Sequence, residues 1–164
     1  MSTKIALSSF LKRATVLTSL LLVTLLSFSC KSDDGESGGN PNEKNIKLTI
    51  TTNGVIEEDF AIFTATGSVA KNPLEGTIWK LNGTVKSNEP IISLEAKDFT
   101  GGVKTYVIES ANPLAIAQVG IQFSASEKRS YTVSYKAEVN GKVVKEDNNI
   151  TVNKDKEYSH IFSY

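Results

Sequence analysis

Cys30 is the only cysteine in 164 residues, and it stands where an apolar run gives way to a polar one, in LLSFSCKSDDGESGGN (25–40). One cysteine cannot close an internal disulfide, and a free thiol in an oxidising compartment is a liability unless it has a use. His160 is equally alone. It can supply neither a His-rich metal site nor the base for a cysteine nucleophile. Its alternation with Tyr158 and Phe162 reads as an edge or core histidine. Carboxylates come in two groups, Glu57-Glu58-Asp59 and Glu146-Asp147. Facing acids can cleave glycosidic bonds, but both groups fall at strand ends beside turns, where charges are ordinarily solvated. There is no Gly-x-Ser-x-Gly elbow, no phosphate-cradling glycine loop and no metal-ligand spacing. Trp79, Tyr106, Tyr131, Tyr135, Tyr158 and Tyr164 could stack on sugars. However, Trp79 shares a face with Leu81 and Val85, and Tyr131 and Tyr135 share one with Val133, which is a core pattern. The expectation is a non-enzymatic chain with no catalytic residue, no metal and no cofactor.

The residues before Cys30 give its thiol a role. Lys4, Lys12 and Arg13 form a basic head, and Ala14–Ser29 is uncharged around VLTSLLLV. This is the pattern of a secretory signal, and it is short for a spanning helix. Ser27, Phe28 and Ser29 then lead into Cys30, and the stretch resembles a bacterial lipoprotein signal of Bacteroidota type. That resemblance implies that Cys30 becomes the first mature residue. Its thiol would carry diacylglyceryl and its amine a further palmitate-like chain. Two or more chains suit stable anchoring, since a single chain binds membranes only marginally, at about 0.8 kcal/mol per buried CH₂. The membrane is thus an expected partner, through the lipid. KSDDGESGGNPNEK (31–44) has no large apolar residue and reads as a flexible tether. Within it, Lys31-Ser32-Asp33-Asp34 resembles the short acidic signal that exports such lipoproteins to the cell surface. A calcium site at Asp33, Asp34 and Glu36 is disfavoured, because a flexible run does not preorganise six or more oxygens.

From Asn45 onward the period is two. Ile46, Leu48 and Ile50 share a face; so do Ala61, Phe63, Ala65, Gly67 and Val69; so do Tyr131, Val133, Tyr135, Ala137 and Val139. TIWKLNGTV alternates in the same way. Asn53-Gly54, Asn72-Pro73, Asn82-Gly83, Gly101-Gly102 and Asn140-Gly141 punctuate the runs, and EVNGKVV is a hairpin signal. PLAIAQVG (113–120) is the one stretch that could make a helical turn. EYSHIFSY adds a strand at an edge. FTATGSV, TIWKLNG and SYTVSYKAEVNGKVVKEDNNITV together resemble the immunoglobulin-like sandwiches of bacterial surface proteins, including the polycystic-kidney-disease type. In that resemblance TIWKLNG is the tryptophan-bearing central strand. The expected fold is all-β: a single immunoglobulin-like antiparallel β-sandwich of about eight or nine strands, with a lipocalin-like β-barrel second.

The organisation follows as 1–29 lipoprotein signal peptide, 30–44 lipidated cysteine and acidic tether, 45–164 β-sandwich domain. The chain has 18 basic and 18 acidic residues, and losing the signal leaves a formal −3. A mild acidic excess without a basic patch excludes nucleic acid as the expected partner. The expected function is a non-enzymatic binding or structural module at the outer membrane or cell surface, with an envelope protein as partner. The alternative is a glycan-binding accessory of a polysaccharide-uptake system, and the third is a hydrolase. Replacing Cys30 by Ser should abolish uptake of labelled palmitate and release the protein from the membrane fraction. Replacing Asp33 and Asp34 by Asn should keep the anchor and reduce exposure to external protease on whole cells. Unchanged palmitate labelling in the Ser variant contradicts the anchor.

Overall fold

A computed structural model of the chain describes residues 43–126 and 128–164. Ten strands and one helical turn follow in order: β1 (Ile46–Asn53), β2 (Phe60–Val69), β3 (Trp79–Leu81), β4 (Thr84–Val85), β5 (Ile91–Glu95), α1 (Ala96–Phe99), β6 (Val103–Ser110), β7 (Leu114–Ser124), β8 (Ser130–Val139), β9 (Lys142–Asn153) and β10 (Tyr158–Ser163). They form two antiparallel sheets, one ordered β4-β3-β6-β1-β8-β9 and the other β10-β7-β2-β5. The sheets pack face to face as a β-sandwich. The barrel alternative fails because neither sheet closes: β4, β9, β10 and β5 all end as edges.

The core is built from the period-two faces read in the sequence. Ile46, Leu48 and Ile50 of β1, Ala61, Phe63 and Ala65 of β2, and Tyr131, Val133, Tyr135 and Ala137 of β8 are all buried between the sheets. Trp79 is completely buried, and its Nε1 donates to the Pro90 carbonyl at 3.2 Å. Gly67 makes room for it. A Cβ there would lie 2.9 Å from Leu114 Cδ1 and 3.3 Å from Trp79 Cζ2, closer than packed atoms tolerate.

Three sequence expectations are corrected. TIWKLNGTV is a tight hairpin, β3 and β4 around Asn82 (φ 49°) and Gly83 (φ 81°), and this splitting raises the strand count to ten. The tryptophan strand is therefore short and lies beside an edge, and Val85 faces solvent. PLAIAQVG is strand, the start of β7. The register between β2 and β7 shifts at Ser68/Val69, leaving Ala115 as an extra residue, so Leu114 and Ala117 are both buried three positions apart. A β-bulge thus imitates helical spacing. The helical turn is α1, inside a stretch that alternates like a strand. Its start is held by a capping box in which the Glu95 amide donates to Asp98 Oδ2 at 2.8 Å. Phe99 drops from it into the core between Tyr106 and Phe123, at ring distances of 5.5 and 5.3 Å.

The Glu57-Glu58-Asp59 group is also corrected in part. Glu57 and Glu58 are solvated, but Asp59 turns inward and is only 5% exposed. It accepts from the Ile56 amide at 3.0 Å, from the Ser126 amide at 3.0 Å, from the Ser126 hydroxyl at 3.1 Å, and from Arg129. Arg129 also donates to the Gly54 carbonyl and lies over the Tyr131 ring. One carboxylate thus ties the β1–β2 turn to the β7–β8 connection. Burial works to raise its pKa. The Ile56 and Ser126 amides, Arg129 and the Ser126 hydroxyl outweigh that and hold it below its ordinary value. A carboxylate with a depressed folded pKa stabilises fully above its unfolded pKa of about 3.9 and loses that contribution as pH falls through the folded value. Asp59→Ala should cost about 3 kcal/mol in urea unfolding at neutral pH, since it leaves Arg129 and two amides unpaired. The gap from wild type should narrow as the pH drops below about 4.

Candidate functional site

The fold separates most of the residues that could do chemistry. Trp79, Tyr131 and Tyr135 are core residues, each no more than 2% exposed. Glu146 and Asp147 are neighbours within β9, not at its end, so they point to opposite faces of the sheet. Glu146 stands opposite Lys136, while Asp147 reaches toward β10. Neither acid group presents two carboxylates across a cleft. Among the described residues no three metal-ligating side chains converge, and no helix is long and apolar enough to cross a membrane. Cys30 and Lys31-Ser32-Asp33-Asp34 lie outside the described residues.

What does converge is the side of the sandwich where β9 and β10 run past one another. After β9 the chain turns through Asn153–Lys156 and enters the other sheet as β10. YSHIFSY then alternates. Tyr158, His160, Phe162 and Tyr164 face β8 and β9, while Ser159, Ile161 and Ser163 face out. Tyr158 Oη donates to Asp147 Oδ2 at 2.7 Å, and Lys145 Nζ donates to Asp147 Oδ1 at 2.8 Å. Tyr135 Oη and Tyr164 Oη share a hydrogen bond of 3.0 Å. Burial would raise the Asp147 pKa, but Lys145 and Tyr158 win and lower it. Burial and the Asp147 bond push the Tyr158 phenol well up, and burial and the Tyr164 bond do the same to Tyr135. Tyr158 is thus held as a neutral donor to Asp147, and the Tyr135–Tyr164 bond fastens the end of β10 to the core.

The aromatic row is stacked on itself. His160 lies 5.3 Å from Phe162 at 21°, Phe162 lies 6.2 Å from Tyr164 at 26°, and Tyr135 stacks on Phe162 at 5.4 Å and 8°. Lys145 sits 5.8 Å from the Phe162 ring centre. Tyr158 meets His160 edge-on, at 4.8 Å and 66°. His160 is exposed, with no hydrogen bond to a nucleophile among the described residues.

The row instead fixes the strand that carries it, and among the described residues that strand has an open flank. In an antiparallel ladder, residues alternate between turning their backbone groups to one neighbour and to the other. Tyr164 exchanges both backbone bonds with Ala117, at 2.9 and 3.0 Å. The alternation then turns Tyr158, His160 and Phe162 toward β7 and leaves the N–H and C=O groups of Ser159, Ile161 and Ser163 pointing away from the sheet. Ile161 is 76% exposed.

The other edges are guarded. β4 has two residues. β5 has five, entered by Pro90 and closed by α1. β9 carries Lys142, Lys145, Glu146 and Asp147, and two register shifts against β8 leave Val144 and the Asn148–Asn149 pair bulged, with Asn149 at φ 51°. Charge, bulges and shortness are the usual defences of a sheet edge. From Ser159 to Ser163, β10 has no charged residue, no proline and no register shift. The sequence placed EYSHIFSY at an edge. It could not show which edges were protected, because β9's bulges exist only in its register with β8.

Fold and site together define an antiparallel β-sandwich with one bare edge among its described strands. No protein-family model matches the sequence, and no curated protein matches it. Among solved structures, the chain is similar to a DUF4425 family protein from Bacteroides ovatus, with TM-score 0.53, 9% identity, and coverage of 74% of this chain and 94% of that one. It is also similar to a domain of unknown function, DUF4425, from Bacteroides vulgatus, with TM-score 0.50, 12% identity, and coverage of 76% and 96%. At these identities the likeness is one of fold.

Proposed function

We propose that this chain is a lipid-anchored module of the cell envelope that works by binding and catalyses no reaction, and that it docks an extended protein strand along β10. The observation that carries the docking is the unguarded flank of β10 beside three guarded edges. Strand addition draws affinity from main-chain bonds and specificity from alternate side chains. β10 offers both: outward N–H and C=O groups at Ser159, Ile161 and Ser163, and an exposed Ile161 side chain between two serines. The aromatic row beneath, fastened to Asp147 and Tyr135, holds the strand in place and so lowers the ordering cost of pairing. The anchoring rests on Cys30 and the signal-like residues before it. Display at the cell surface rests on Lys31-Ser32-Asp33-Asp34.

A photo-crosslinking residue tests this in whole cells, placed at Ser163 on β10, Val143 on β9 or Ser93 on β5. Discrete products, identified by mass spectrometry as protein, should form from position 163 and not from the other two. Ile161→Pro should abolish them. That proline deletes an outward N–H while sparing the ladder to β7, so the fold tolerates it. Equal crosslinking from all three positions, or products indifferent to Ile161→Pro, overturns strand docking. Competition by soluble polysaccharide would favour the glycan-binding alternative.

A further inference from the structure

We infer that the strand β10 accepts is β10 of a second copy of this chain, paired antiparallel about a two-fold axis through Ile161. This rests on the strand-docking reading above and names its partner.

The sequence of the edge is the first reason. Ser159-His160-Ile161-Phe162-Ser163 reads nearly the same in both directions: a serine at each end, a planar ring at each inner position, and one isoleucine in the middle. Turned by a two-fold at Ile161, Ser159 meets Ser163 of the second copy, His160 meets Phe162, and Ile161 meets itself. An isologous interface requires such self-complementarity.

The backbone is the second reason. The outward groups belong to Ser159, Ile161 and Ser163, which are centred on Ile161. In the two-fold register each outward N–H faces an outward C=O, closing about six bonds and leaving none of these groups open. A shift by two residues would strand a serine's pair at each end. A shift by one would put inward-turned groups opposite outward ones.

Charge and chain path agree. No charged side chain lies between Ser159 and Ser163, so the self-pairing brings no like charges together. The outer face of the four-stranded sheet is uncharged too, apart from Glu95 at the far edge. There Ile62 and Thr64 of β2 and Gln118, Gly120 and Gln122 of β7 lie beside Ser159, Ile161 and Ser163, so pairing extends one neutral face across both copies. The outer face of the six-stranded sheet instead carries ion pairs such as Lys47–Glu109 and Lys136–Glu138. Lys44 bridges Leu114 on the flank of β7 that β2 leaves free, in line with β10 beyond Tyr164. The two chains would thus enter the dimer at opposite ends of the shared strand pair. Residues 30–44 reach at most about 50 Å, enough for both anchors to meet one bilayer. Confinement there raises the effective concentration for pairing.

Cysteine placement reads the register directly, in the anchored full-length protein whose Cys30 thiol is acylated. Hydrogen-bonded antiparallel partners have Cα atoms about 5.5 Å apart, with Cβ atoms too far apart for a relaxed direct disulfide but within reach of a thiol crosslinker with a one-carbon spacer. Ile161→Cys should therefore give a covalent dimer with that reagent, about tenfold more than Ser93→Cys on the β5 edge. Ser159→Cys alone and Ser163→Cys alone should each stay monomeric, while cells expressing both should yield the mixed dimer. Adding Ile161→Pro to that pair should remove it. A dimer from Ser159→Cys alone, or none from Ile161→Cys, overturns the two-fold. If Ile161→Cys remains monomeric while the crosslinker at Ser163 captures a different protein in an Ile161→Pro-sensitive way, the self-partner fails and strand docking stands. If neither forms, both fail.

Discussion

A sheet that does not close must end, and each end leaves a row of backbone N–H and C=O groups that only water, a side chain or another strand can satisfy. This constraint organises the whole domain. Two sheets of six and four strands give four edges. Three are dealt with inside the chain, by brevity at β4, by Pro90 and α1 at β5, and by charge and bulges at β9. The cost of those defences is local: β9 gives up register at two places. β10 makes no such concession. Its inward side is instead fixed with unusual thoroughness, by the Asp147–Tyr158 and Tyr135–Tyr164 bonds and by a stacked row from His160 to Tyr164. A strand fastened on one side and left open on the other among the described residues suits the docking proposed for it.

The core was legible in the sequence because burial follows alternation. The inward faces of β1, β2 and β8 appear residue by residue in IKLTI, FAIFTATGSV and SYTVSYKAEV, and Asn140 (φ 51°) and Gly141 (φ 77°) make the turn their types favour. Where alternation breaks, the reading failed. A bulge at Ala115 gave β7 a helix-like spacing, and a capping box hid one turn of helix inside LEAKDF. Asp59 was illegible for another reason. Its four donors come from Ile56, Ser126 and Arg129, and Ser126 and Arg129 lie far along the chain, so nothing near Glu57-Glu58-Asp59 announces that one acid is inside.

The candidate site was half legible. EYSHIFSY reads as an edge strand, and the near-palindrome Ser159–Ser163 is visible in the letters. Its meaning depends on which backbone groups face outward, and that is set by the pairing of Tyr164 with Ala117. The aromatics were more legible: Trp79, Tyr131 and Tyr135 show the alternating core pattern in the sequence, and the structure buries all three.

The proposed anchor and the proposed docking edge fit together. A weak, strand-based contact gains from the confinement that the proposed anchor would supply. The most direct test is amide hydrogen exchange along β10, resolved by residue, in the dilute protein and again at membrane density in vesicles. In the dilute protein His160 and Phe162 should be protected by β7 while Ser159, Ile161 and Ser163 exchange freely. At membrane density those three amides should become protected as well. Exchange at Ile161 that stays as fast in the membrane as in dilute solution would contradict the account.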